Sequence, residues 1–251
     1  MNTHFFGTPL IASQHGAALD RLNWLIHLLM LVLFVGWLAY FLYVLVRFRK
    51  SKNPQASHTG VQNHLSTYVE VGVAVVEAVL LLGFAMPLWA KAIDEFPTAK
   101  DNPVTIRVTG RQFNWVAHYP GADGQFGDQD TKFVAGNNPT GINRTGKGKD
   151  DVVNKVSSEI AVELNRPVII YLSSMDVIHS LKLNSMRVTQ DAIPGMSIPL
   201  HFTPIVPGKY QINCAQLCGV GHSGMMGMLK VLTTEEFAAW LKTNAGEESF
   251  E

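Results

Sequence analysis

The sequence predicts a membrane-anchored all-β protein, with an N-terminal two-helix transmembrane hairpin followed by an external β-sandwich or barrel. Three observations carry that expectation. Residues 22–46 hold no charged side chain and lie between Arg21 and Arg47. A second apolar run covers 65–90 and ends at Lys91. Beyond it, helical periodicity gives way to short β-branched runs divided by turn signals.

The first span reads LNWLIHLLMLVLFVGWLAYFLYVLV. As a helix it rises roughly 37 Å at about 1.5 Å per residue, enough to cross a hydrocarbon core of about 30 Å. Trp24 and Tyr43 sit near its two ends, as in the aromatic belts of spanning helices. A cleaved signal would need a basic leader, a shorter apolar run and a small-residue cleavage site, and these are missing. The connecting segment 47–64 carries Arg47, Arg49, Lys50 and Lys52 and no acid, whereas the first 21 residues carry only Asp20 and Arg21. Positive charge marks the cytoplasmic side, so both termini are expected on the outer face. The hairpin domain is therefore read as 1–91 and the outer domain as 92–251.

The second span carries Glu70 and Glu77, seven residues and two helical turns apart, hence on one face. Carboxylates inside a membrane usually face protein or water and mark proton or ion paths. Glu70 lies near the cytoplasmic end, where a solvated position is also open to it. Glu77 lies about 10 Å deeper and is expected to face a partner subunit. Pro87, near the far end, costs the helix little.

The outer domain reads as strands at 104–109, 160–164, 168–172, 198–202, 209–212 and 228–232. Residues 120–156, rich in Gly, Asp, Asn and Lys, read as one long surface insertion. Thr233 and Glu236 form a capping-box pattern that opens a short C-terminal helix burying Phe237, Trp240 and Leu241. The whole chain balances 20 Lys+Arg against 20 Asp+Glu, without the cationic surplus of a nucleic-acid-binding domain.

The chemistry is concentrated in NCAQLCGVGHSGMMGM, residues 213–228. Cys214, Cys218, His222 and Met225 recur there at steps of four, four and three, and Met175-Asp176-Val177-Ile178-His179-Ser180 offers a second imidazole. Soft sulfur with imidazole selects copper over magnesium, calcium or manganese, and a thioether suits electron-transfer copper. Zinc gains little from methionine. A structural disulfide between Cys214 and Cys218 is the competing reading, but it gives no reason for the following His and Met. One cysteine with two His and a Met would suggest mononuclear copper, whereas two cysteines on one loop fit a thiolate-bridged pair better.

The hairpin, together with DVIHS, DAIPG, PGKY and C-x-x-x-C-G-x-x-H-x-x-M, resembles subunit II of haem–copper cytochrome c oxidases over nearly the whole chain. The resemblance implies a cupredoxin-like outer domain holding the binuclear copper centre CuA. Cys214 and Cys218 would bridge both coppers, and His179 and His222 would each bind one. Met225 and the backbone carbonyl of Gln216 would be weak ligands. Asp176 and Asp191 look similar to family acids near the site. Glu70 matches the glutamate at the mouth of a proton path. The chain would take single electrons from a cytochrome c-type donor and pass them to haem in subunit I for oxygen reduction coupled to proton translocation. Its partners would be subunits I and III and membrane lipid, in a bacterial inner (plasma) membrane with the copper domain on the periplasmic side. It would not be catalytic alone, since its spans hold no haem ligand set.

Two positions depart from the family pattern. Gln216 replaces a glutamate that helps hold magnesium at the subunit I interface in many relatives; an amide is a weaker, uncharged ligand, which puts magnesium in doubt here. In GRQFNW, residues 110–115, Phe113 stands where relatives have the tryptophan that receives electrons, and Trp115 matches a later tryptophan. Electron input through Phe113 and Trp115 competes with their being core aromatics. Alternative functions are the CuA subunit of a nitric oxide reductase and a membrane-anchored copper carrier. Buried carboxylates argue against the carrier.

Overall fold

The computed structural model describes residues 8–55, 58–60, 62–154 and 157–245, so both chain ends and the last two residues of the expected insertion lie outside the described residues. The chain divides into two compact units, one of Met1–Ala17 with Phe96–Glu251 and one of Ala18–Glu95.

In the helical unit, α1 (Gly16–Arg47) begins before the uncharged run, because nothing between Gly16 and Leu22 breaks a helix. The second span is a continuous helical run made of α2 (Leu65–Leu80), a π turn (Leu81–Ala85) and α3 (Met86–Asp94). Pro87 has no N–H, and its ring crowds the carbonyl of Gly83 one turn back. The wider π turn falls at this break in the ladder. The run ends at Asp94 rather than near Ala90, with Lys91 in the last turn favourably placed against the terminal carbonyls. Both helices are long and apolar enough to cross a membrane, and their apolar side chains are exposed along their length. Glu70 and Glu77 are exposed with them.

The second unit is a two-sheet sandwich. One sheet has the order β3-β2-β1-β5-β8, from β1 (Val104–Arg111), β2 (Asn114–Tyr119), β3 (Val152–Val153), β5 (Val168–Ser174) and β8 (Ile198–Phe202). The other has the order β4-β10-β9-β6-β7, from β4 (Glu159–Glu163), β6 (His179–Leu183), β7 (Val188–Ala192), β9 (Gly208–Cys214) and β10 (Met226–Leu232). Period-two alternation builds the core: Val104, Ile106 and Val108 of β1 point inward and their neighbours do not. They pack with Ile160, Val162, Leu181 and Leu229 of the facing sheet. All six expected strands are present. Strands β2, β6 and β7 escape sequence reading because polar residues interrupt them (NWVAHY, HSLKL, VTQDA).

The segment before α1 belongs to this sandwich. Ala12 N–H donates to Ser185 O at 2.8 Å and Ala12 O accepts from Ile205 N at 2.8 Å, while Gln14 N–H donates to Thr203 O at 2.9 Å. Ala12 and Ser13 are fully buried, and the Ser13 hydroxyl donates to Met186 O at 2.7 Å. At the other end α4 (Thr234–Asn244) opens on the expected capping box, with Thr233 N–H donating to Glu236 Oε2 at 3.0 Å. Phe237 is buried, and Trp240 donates from Nε1 to Glu159 at 2.7 Å.

The 120–156 segment is not wholly on the surface. Its last part forms β3 against β2, and Ile142, Asp151, Val153 and Asn154 are buried. It is clamped by His118 of β2, whose Nε2 lies 2.5 Å from Asp151 Oδ2 with both side chains buried. Asp151 also accepts from Gly127 N at 2.8 Å and Gly121 N at 3.3 Å. A carboxylate only accepts, so the Nε2 of His118 carries the proton, and its buried Nδ1 has no partner among the described residues. Burial pushes His118 below the usual imidazole value, against the pull of Asp151. Burial alone would raise Asp151, but the hydrogen bonds from His118 and Gly127 hold it below the usual carboxylate range.

Candidate metal centre

Two segments bring the donor atoms together. His179 opens β6, where its pairing with Ala192 and the adjacent Leu181↔Cys214 register set it beside the end of β9. Cys214 closes β9, and the chain then runs irregularly through Cys218 to the turn at His222–Gly224. The ligand atoms of His179, Cys214 and Cys218 all lie within 4.8 Å of one another. The two thiols are free and their sulfurs are 3.8 Å apart, so the disulfide alternative is not realised. His179 Nδ1 is 4.0 Å from Cys214 Sγ, and the Gln216 carbonyl is 3.2 Å from the same sulfur. His222 Nδ1 and Met225 Sδ each lie 3.7 Å from Cys218 Sγ. His222 and Met225 thus join through Cys218 rather than through the whole trio.

Asp176 sets the His179 tautomer. Its Oδ1 accepts from His179 Nε2 at 2.7 Å, which leaves Nδ1 bare and turned toward Cys214. Its Oδ2 accepts from Gln112 N at 2.7 Å, and Oδ1 also accepts from Val177 N at 2.7 Å. Burial works to raise the Asp176 carboxyl, and these hydrogen bonds hold it below its usual value. The Cys218 thiol goes the other way, pushed up to about 11 by burial and by Cys214 beside it. Two thiols, the bare Nδ1 of His179, the His222 imidazole, a thioether and a carbonyl in this arrangement suit a soft metal.

Residues 104–232 match the sequence model of the cytochrome c oxidase subunit II periplasmic domain. The alternative cytochrome c oxidase subunit 2 of Bradyrhizobium diazoefficiens is 30% identical over 217 residues, covering 85% of this chain and 76% of the relative. The chain belongs to the cytochrome c oxidase subunit II family. A second family member, cytochrome c oxidase subunit 2 of Cereibacter sphaeroides, is 28% identical over 82% of this chain and 69% of its own length. The solved periplasmic domain of subunit II of cytochrome oxidase from Bradyrhizobium japonicum aligns with a TM-score of 0.42 at 28% identity, over 56% of this chain and 92% of that one. Family membership makes this chain a subunit of an oxidase complex, with the two-helix and sandwich architecture of subunit II.

Of the other expected site residues, Trp115 and Phe113 pack against the ligand segments. Trp115 is fully buried, its ring edge-on to His179 at 5.9 Å between centroids. Phe113 is half-buried over the cysteine loop, where a Cβ on Gly221 would meet its ring at 2.4 Å. Asp191 is exposed on β7 opposite Ser180, one position off the residue that pairs with His179, and makes no side-chain hydrogen bond among the described residues. Alternation along β7 turns it to the strand face opposite that of His179. Glu70 belongs to the helical unit.

The close approach at Gly221 gives a direct test of packing. Gly221→Ala is expected to lower the thermal midpoint by the equivalent of about 1–3 kcal/mol of overpacking. Truncating the ring in the Gly221→Ala/Phe113→Ala double variant should return part of that loss. Strict additivity of the two substitutions would show that the ring and the glycine do not meet.

Proposed function

We propose that this chain is the electron-input subunit of a respiratory haem–copper oxidase. In this reading, His179, Cys214, Cys218, His222, Met225 and the Gln216 carbonyl hold the binuclear CuA centre. The observation that carries the reading is the convergence of His179, Cys214 and Cys218 within 4.8 Å, with both thiols free. When bound, the copper pair supplies single-electron transfer between a cytochrome c-type donor and haem in subunit I, where oxygen is reduced. The chain's own residues prepare the place. Asp176 fixes the His179 tautomer, Trp115 packs against its ring, and Phe113 covers Gly221. The basic loop 47–64 sets the copper domain on the periplasmic side of a bacterial inner membrane, and the exposed apolar helices are seats for subunits I and III and for lipid.

Low-temperature electron paramagnetic resonance with copper quantitation on the full chain in detergent tests the proposal. Two coppers per chain with a seven-line delocalised signal is the expected result. One copper with a four-line signal would make the site a mononuclear cupredoxin, and no copper would remove the electron-transfer role. Purifying the assembled complex and measuring which gas it reduces separates oxygen from nitric oxide. For Glu70, proposed as a proton-path residue, Glu70→Gln should slow steady-state turnover by about tenfold or more, as for a lost proton-transfer group, while leaving copper reduction unchanged. Equal slowing of both steps would remove that role.

A further inference from the structure

Gln112, at the turn between β1 and β2, touches both ligand-bearing segments. Its backbone N–H donates to Asp176 Oδ2 at 2.7 Å, and its side-chain Nε2 donates to the Cys218 carbonyl at 2.6 Å. The first bond ends on the carboxylate that orients His179, and the second on the main chain of the residue whose sulfur meets Cys214, His222 and Met225.

Strand pairing explains the position of Cys214 but not that of Cys218. The β6–β9 ladder reaches Leu181↔Cys214, and Ala215 N–H still donates to Ser180 O at 2.9 Å. Beyond it the backbone is irregular up to Gly219, whose φ of +132° lies in a region that favours glycine. A Cβ on Gly219 would meet Gln112 Nε2 at 2.7 Å, so the missing side chain is what lets the amide reach the loop. The Cys218 carbonyl is thereby tied to the turn between β1 and β2.

We propose that Gln112 is a positioning residue of the metal centre, holding the Cys218 loop against the Asp176–His179 segment at the separation the ligands need. The inference rests on the copper reading above. Gln112 is not a ligand, and it acts through Asp176 and Cys218. Groups that orient ligands in this way typically change metal affinity by about 10–100-fold when removed.

Gln112→Met isolates the side-chain bond, because it keeps the length of the residue and its backbone N–H while losing the amide donor. In the full chain in detergent, copper affinity should fall about tenfold or more. The hyperfine pattern of the oxidised copper signal should change, and the thermal midpoint of the metal-free protein should stay where it is. Gln112→Lys, which retains an N–H donor of similar reach, should recover most of the affinity. Wild-type affinity and spectrum in Gln112→Met would overturn the proposal. A metal-free midpoint that drops in step with affinity would overturn it too, since that is the mark of a merely structural side chain. If the wild-type chain takes up no copper, the copper reading itself fails and this inference falls with it; a loaded wild type beside an unaffected Gln112→Met variant removes the inference alone.

Discussion

Cys218→Ser is expected to reduce bound copper from two ions to at most one per chain and to abolish the delocalised signal. Cys218 Sγ is the point at which the donor set closes: Cys214 Sγ at 3.8 Å, His222 Nδ1 at 3.7 Å and Met225 Sδ at 3.7 Å all meet there. Without that sulfur, His222 and Met225 lose their link to the trio that contains His179. A serine oxygen is a hard, protonated donor and a poor substitute for a thiolate toward a soft metal. Because serine is close to cysteine in size, the metal-free sandwich should remain folded and the helical hairpin inserted. Retention of two coppers with an unchanged spectrum would defeat the bridging assignment.

The second large effect lies outside the metal centre. Asp151→Ala should destabilise the sandwich by about 1–3 kcal/mol, the usual cost of leaving a buried donor without its acceptor. The loss strands His118, whose Nδ1 already has no partner among the described residues, and leaves the N–H groups of Gly127 and Gly121 without their acceptor. The pair also makes the fold sensitive to acid. The folded-state pKa values of His118 and Asp151 are both depressed, so the unfolded chain takes up protons that the folded chain refuses. Stability is therefore present above pH 6.5, begins to fall as pH drops below that ordinary imidazole value, and falls further below 3.8. Thermal midpoints measured across this range should show the decline, and His118→Gln should flatten its upper part. An identical profile in His118→Gln would assign the acid sensitivity elsewhere.

How much of this was legible in the sequence depends on how far apart the partners lie. The spans were legible because an uncharged stretch between Arg21 and Arg47 has few other uses, although the helix runs past that stretch to Gly16. The cysteine loop was legible because four of its donors fall within twelve residues, and their residue types already select the metal class. Gln112 gave no local signal, since its two partners lie 64 and 106 residues away. His118 and Asp151, 33 residues apart, were hidden for the same reason, with Asp151 inside a segment whose composition reads as surface loop. Asp191, singled out by resemblance to family acids, lies on the face of β7 opposite that of His179, which no sequence pattern indicated.

The burial of Ala12 and Ser13 among Ser185, Met186, Thr203 and Ile205 has a consequence for how such a chain is made. The earliest of these residues to leave the ribosome dock against partners translated some 170 residues later, with both apolar helices emerging in between. On the topology proposed above, the sandwich closes only after both helices have crossed the membrane, so insertion would precede the completion of folding. A truncated outer fragment that starts after the second helix would lack these residues and leave a furrow beside Met186. Supplying the 8–15 peptide in trans, or fusing it ahead of such a fragment through a short linker, is the natural way to fill that gap in a soluble version.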